Sequence, residues 1–195
     1  LWLKANRPEV IRHTRYLMGI KEYILMLLTE EMVTDYSSAS TTQLYNRYTH
    51  TWWKEMLDIL EVQHWRLPQI TQPFATAGYL TRAAAEILGL NAGVRVIVGS
   101  GDGPASTIAV GSVDRGDWCI SFGTTTVTRY LTTTVRLDAG SGYFCQHFYR
   151  DVFLQGIRMN ETGREIAKYL YESQGCQQDA SEVFYLKGSK DGFYS

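Results

Sequence analysis

Along the first half of the chain, apolar residues recur every three or four positions, the spacing of one buried helix face. Pro8 suits a first helical turn, and Val10, Thr14, Leu17 and Met18 carry that helix to a stop at Gly19. Lys21 to Leu28 predicts a second, mostly buried helix, and the small polar run 34–42 predicts a loop or a helix entry. Trp53, Met56, Leu57 and Leu60 share one helical face, with Thr51 as the expected N-cap. Pro68 and Pro73 bracket an expected connecting loop, and Thr81 caps a helix of Arg82 to Leu88 that Gly89 ends.

From Val94 the period changes. Val94 to Val98 reads as a strand, and Pro104 to Val110 as a short helix with proline in its first turn and Gly111 after it. Trp118 to Phe122 and Val127 to Leu131 read as two strands of a hairpin. Tyr143 to Phe148 and Val152 to Ile157 form a second strand pair around a turn at 149–151. A final helix opens at Thr162 or Gly163. Helices thus dominate before residue 94 and strands after it, which places a boundary between two lobes near residues 100–112.

Composition narrows the class. At 195 residues and 45% hydrophobic, the chain is long enough for one sizeable core or two small ones. A net charge of -1 without a basic stripe argues against nucleic acid as a partner. The longest strongly apolar run, 23–28, is too short to span a membrane. Cys119, Cys145 and Cys176 are widely spaced with no CxxC pair, which fits unpaired thiols and a cytoplasmic location. His13, His50, His64 and His147 are scattered and read as surface or packed side chains rather than ligands. The chain opens at Leu1 inside an apparent helix and ends at Gly192-Phe-Tyr-Ser195 without a closing element, so it reads as a segment of something longer.

Two stretches could carry chemistry. In Val96-Ile-Val-Gly-Ser-Gly-Asp-Gly-Pro-Ala-Ser-Thr107, Asp102 stands between Gly101 and Gly103 where a strand gives way to a helix. An acid there can serve the backbone, by accepting from free N–H groups of the helix start. It can also serve a substrate, because glycines let a ligand approach and a carboxylate can take a hydroxyl proton. Ser121-Phe-Gly-Thr-Thr-Thr126 is a tight turn between strands. It reads either as a plain hairpin or as a cradle of N–H and O–H donors for phosphate oxygens. A P-loop and a dinucleotide fingerprint are both missing from the sequence.

Taken in order, these motifs resemble the FGGY family of carbohydrate kinases. Other segments agree: Leu1-Trp-Leu-Lys-Ala-Asn-Arg-Pro-Glu9, Lys21-Glu-Tyr-Ile24, Val33-Thr-Asp-Tyr-Ser-Ser-Ala-Ser40, Trp53-Lys-Glu-Met-Leu57 with Leu67-Pro68, and Gly156 with Asn160-Glu-Thr-Gly163. The resemblance implies an α/β, actin-like ATPase (ribonuclease H-like) two-lobe fold, present in part. Residues 1–110 would be the remainder of the amino-terminal, sugar-binding lobe and 111–195 the start of the carboxy-terminal, ATP-binding lobe. It implies ATP-dependent phosphorylation of a sugar or sugar-acid hydroxyl, of pentulose or gluconate type, with Mg2+. Asp102 matches the general base, with Gly103 beside the substrate. Gly123, Thr124 and Thr125 match the turn that holds ATP phosphates, and Gly163 lies near a second nucleotide-contacting glycine. The resemblance leaves a homodimer open. Phosphoryl transfer rewards positioning and charge neutralisation, so a carboxylate of ordinary pKa is adequate as the base.

The chain also departs from that family's pattern. The amino-terminal D-x-G-T phosphate motif, the front residues that contact the sugar and the late adenosine motif are absent, so no metal-handling acid is named. Gly103 stands where a Gln or Asn often follows the base, Glu30 where a glycine is usual, and Gln155 where a glycine pair begins. The alternative in another class is a non-catalytic sugar- or nucleotide-binding protein on the same fold, and a third reading is a purely structural α/β domain.

Overall fold

The structure, a computed structural model, describes residues 1–114, 116–122, 125–136, 140, 142–160, 184–189 and 192–194. The chain forms two compact units, Leu1–Ser100 and Gly101–Ser195.

The first unit begins with α1 (Trp2–Asn6) and α2 (Pro8–His13). Proline disfavours the helical region for the residue before it, and Arg7, at φ -142°, breaks the two apart. The expected continuation to Met18 does not occur. The Thr14 hydroxyl donates to Val10 O (2.6 Å), and Leu17 N–H instead donates to Arg66 O (2.8 Å). A tertiary hydrogen bond there overrides helical spacing.

α3 (Ile20–Thr29) is the expected second helix, but it is not mostly buried: Glu22, Leu25 and Thr29 face inward while Ile20, Tyr23, Ile24 and Leu27 are exposed, and it ends at Glu30 in the left-handed region, φ 64°. The run read as a loop or helix entry is β1 (Val33–Asp35) leading into α4 (Tyr36–Thr41). β2 (Tyr45–Asn46) and β3 (Thr51–Trp52) form a small antiparallel ladder, so Thr51 pairs with Asn46 and is not a cap. Trp53 holds the N-cap position of α5 (Lys54–Leu60) without a side-chain capping bond.

After a 3-10 turn (His64–Arg66), β4 (Gln69–Thr71) lies parallel to β1. The expected loop between the two prolines is therefore a strand, stabilised by a partner far back in the chain. β5 (Thr76–Tyr79) was not legible in the sequence; it pairs antiparallel with β6 (Arg95–Ile97). Between them runs α6 (Arg82–Leu88), where the Thr81 hydroxyl accepts from Ala84 N–H (3.2 Å) and Gly89 ends the helix at φ 67°, as expected.

Three small apolar clusters hold this unit. Ala39, Trp52, Leu57, Val62 and Leu67 form one, and Trp52 satisfies its indole N–H on Pro68 O at 2.8 Å. Leu25, Val33, Ala77 and Val98 form the second, and Leu80, Ala84 and Ala85 the third.

The second unit opens with α7 (Asp102–Ala109), two residues earlier than expected. Its sheet contains β7 (Trp118–Phe122), β8 (Thr126–Thr132), β9 (Tyr143–Tyr149), β10 (Val152–Met159), β11 (Phe184–Ser189) and β12 (Gly192–Tyr194). The strand order is β12-β11-β7-β8-β10-β9, antiparallel throughout. Both expected strand pairs are present.

The register sets Arg129 of β8 opposite Cys119 on one side and Gly156 on the other. Directly opposed residues share a face, so Cys119, Arg129 and Gly156 lie on one face of the sheet. A Cβ at Gly156 would stand 2.1 Å from Thr128 O and 2.8 Å from the Phe144 ring, so only glycine fits there. On the other face Gln155 is fully buried. Its Oε1 accepts from Arg136 N–H (3.1 Å) while its Nε2 donates to Arg136 O.

Candidate active site

The residues singled out in the sequence begin at Asp102. Gly101 takes the N-cap position of α7 without a side-chain bond, and Asp102 is the first residue of the helix. Its side chain is exposed. One carboxylate oxygen accepts from Gly103 N–H at 2.8 Å. The acid thus satisfies one free N–H of the helix start and presents the rest of its carboxylate to solvent. The backbone-serving bond is present, and the residue is exposed.

Gly103 and Pro104 are buried. Gly103 O accepts the hydroxyls of Ser106 and Thr107, each at 2.9 Å. These bonds fix the first turn of α7. On the side of Gly103 where a side chain would project, the Arg129 guanidinium approaches: Nε lies 3.3 Å, and Nη2 3.7 Å, from the position a Cβ would take, with Gln146 Oε1 at 3.6 Å. Arg129 Nη1 also donates to Ser121 Oγ (2.7 Å), the buried serine that precedes the expected phosphate turn. Burial pushes the neighbouring Cys119 thiol up, against the opposing pull of the Arg129 charge and the Thr107 hydroxyl.

The turn itself is described in part. Thr125 sits at its bend, half-buried, and Ser121 pairs with Val127 to close the ladder beneath it. Gly123, Thr124 and Gly163 lie outside the described residues, as does the expected final helix. Thr126, the first residue of β8, is buried, and its Oγ1 has no hydrogen-bond partner among the described residues.

The first unit holds a second charged cluster, which the sequence did not single out. Asp35 is fully buried as the N-cap of α4 and accepts from Ser37 N–H (2.8 Å), Ser37 Oγ and Ser38 N–H. Lys21 Nζ pairs with Asp35 at 2.5 Å and with Glu22 at 3.5 Å, and reaches Gly99 O at 3.5 Å. Burial alone would raise the Asp35 carboxyl. The hydrogen bonds from Lys21, Ser37 and Ser38, with the Lys21 charge, outweigh it and hold the group below the usual carboxylate range.

The histidines read as expected where the structure shows their contacts. His147 is buried, bonded to Arg150 O and stacked on Phe153 at 4.9 Å, while His13 bonds Glu9 O. Among the described residues, no group of three His, Cys, Asp or Glu side chains could hold a metal ion, and no helix is long and apolar enough to cross a membrane. Cys119 is a free thiol.

The sequence reading missed Arg129 and Gln146. The signal was present for Arg129: it alternates with Val127 and Leu131, which are buried, so a period of two places it on the inner face of its strand.

Comparison with known proteins gives these positions a context. Residues 1–109 match the model for the FGGY family of carbohydrate kinases, N-terminal domain. The xylulose kinase of Lactococcus lactis subsp. lactis is 25% identical over 195 residues, covering 90% of this chain and 39% of that protein. The gluconokinase of Bacillus licheniformis is 25% identical over 162 residues, covering 83% of this chain and 32% of that protein. Among solved structures, the ligand-bound xylulose kinase of Lactobacillus acidophilus superposes with a TM-score of 0.81 at 31% identity, over 88% of this chain and 35% of that one. The chain therefore spans 32–39% of the length of these relatives.

Proposed function

We propose that this chain, which belongs to the FGGY family of carbohydrate kinases and has part of its actin-like ATPase fold, serves the ATP-dependent phosphorylation of a sugar or sugar-acid hydroxyl. The observation that carries this reading is the placement of Asp102, an exposed acid at the first residue of α7 with one oxygen bonded to Gly103 N–H.

In this reading Asp102 receives the proton of the hydroxyl under attack. Its bond to Gly103 N–H orients the carboxylate, and the Ser106 and Thr107 bonds to Gly103 O stiffen the turn that carries it. Positioning of this kind dominates in phosphoryl transfer, where the bond to the leaving group is largely broken before the new one forms. ATP supplies the phosphoryl group when bound. Gly123, Thr124 and Thr125 hold its phosphates, with Gly163 as a further contact. The buried, unpartnered Oγ1 of Thr126 at the foot of that turn suits such a polar ligand. The described residues offer no donor set of His, Cys, Asp and Glu side chains for Mg2+. Residues 1–110 belong to the sugar-binding lobe and 111–195 to the ATP-binding lobe. A ketopentose or an aldonic acid is the substrate class, supported by the names of the relatives, a xylulose kinase and a gluconokinase.

The test is an ADP-release screen across ketopentoses, hexonates and polyols, with Asp102→Asn alongside. Sugar-dependent ADP release that the variant loses, while retaining sugar binding, is the expected result. Sugar binding without ADP release in either protein would assign a binding role in place of catalysis.

A further inference from the structure

We propose that Arg129 is a positioning residue for Asp102, clamping the first turn of α7 to the strand that leads into the phosphate turn; this rests on the kinase reading above.

Two of the guanidinium's contacts bear on the acid. Its Nη1 donates to Ser121 Oγ at 2.7 Å, at the end of β7, and its Nε and Nη2 fill the space above Gly103, 3.3 and 3.7 Å from where a Cβ would stand. Ser121 is itself fixed, buried and donating to Val127 O at 3.3 Å. One planar, rigid side chain thus lies against Gly103, next to the acid, while bonding Ser121, ahead of the turn. Lysine could not reproduce this, since it lacks the fork that meets two places at once.

Packing alone does not account for a cation here. The start of a helix carries partial positive charge and disfavours one. An apolar residue would follow the alternation of Val127 and Leu131 on the same face, and would leave the Ser121 hydroxyl without this donor. Gly103 is the complement: a larger residue at that position would push directly on the guanidinium. Since a displacement of about 1 Å at a reacting group can cost 10²-fold in rate, a clamp set one residue from the acid bears on turnover more than on binding.

Four variants of the protein test this: Arg129→Gln, Arg129→Lys, Ser121→Ala and Asp102→Asn. They are compared by steady-state kinetics of ADP release, sugar and nucleotide affinity, and thermal melting. Arg129→Gln is expected to lower kcat by roughly ten- to hundredfold with KM for both substrates within about twofold, and Arg129→Lys to recover little of it. Ser121→Ala, which keeps the charge and removes its anchor, is expected to lower kcat in the same direction and to be less than additive with Arg129→Gln. If Arg129→Gln does not fold, Ser121→Ala decides alone. Unchanged kcat in Ser121→Ala, or a KM effect without a kcat effect in Arg129→Gln, overturns the proposal. If Asp102→Asn leaves turnover intact, the kinase reading of Asp102 fails instead, whatever Arg129 does.

Discussion

Two acids open two helices in this molecule, and their surroundings are opposite. Asp35, in the first unit, is buried without exposure, paired with Lys21 and bonded by Ser37 and Ser38. Asp102, in the second, is exposed and bonded to one N–H, that of its neighbour Gly103. A carboxylate whose oxygens are all engaged within the fold stabilises the fold and has nothing left to give a substrate. One with an open face can exchange a proton. The helix-start position is the same kind of place in sequence; solvation and partner count separate structure from chemistry.

That contrast can be broken most decisively at Asp102. Asp102→Asn is expected to lower turnover by about 10²–10⁴-fold, the usual worth of a positioned base, with little change in melting temperature. ADP-release kinetics and calorimetry on the same preparation measure both. Asp35→Asn is expected to do the reverse. It leaves Lys21 without its main counter-charge, which costs about 3 kcal/mol, and denaturant titration reads the loss. If Asp35→Asn spared stability and removed turnover, the two acids would not differ in the way described.

The same acid gives a pH signature. Its folded carboxyl lies below the ordinary 3.8, so the unfolded chain binds the proton more tightly. The contribution of Asp35 is therefore complete above that value and is lost as pH falls through the lower folded one. Acid unfolding followed by circular dichroism should be shallower below about pH 4 in Asp35→Asn than in the parent chain.

Smaller effects sharpen the comparison between the units as scaffolds. Gly156→Ala sets a Cβ against the Thr128 carbonyl and the Phe144 ring in the sheet, and should cost about 2–3 kcal/mol through overpacking. Glu30→Gly relieves a left-handed residue at the exposed end of α3 and should stabilise by about 1 kcal/mol. Thermal melts of the two variants should move in opposite directions.

How much of this was legible depended on how local the cause was. The end of α6 was fully readable, because Thr81 and Gly89 act on the helix they flank. The β7–β8 and β9–β10 pairs were readable because each is joined by a short turn. β4 has the flanking prolines of a loop, and the partner that makes it a strand, β1, lies far earlier in the chain. Leu17 carried the right spacing for a helix, and its hydrogen bond to Arg66 O took it out of one. Asp102 announced itself through its flanking glycines. Arg129 carried the period of an inward-facing strand position, but its meaning depends on a glycine 26 positions earlier that makes room for it. The position of Glu30 was flagged by its departure from a usual glycine, and its φ of 64° gives the physical reason that glycine suits it.

Gln155 carries a consequence of its own. Its side-chain amide gives and takes the same pair of bonds with Arg136 that a neighbouring strand residue would, so it works as a peptide group turned sideways out of β10. The segment leaving β8 is thereby stitched to the sheet at Arg136. In hydrogen–deuterium exchange, Arg136 N–H should behave as a slow, sheet-like amide, although Thr133 and Thr134, two and three residues earlier, are exposed and belong to no strand.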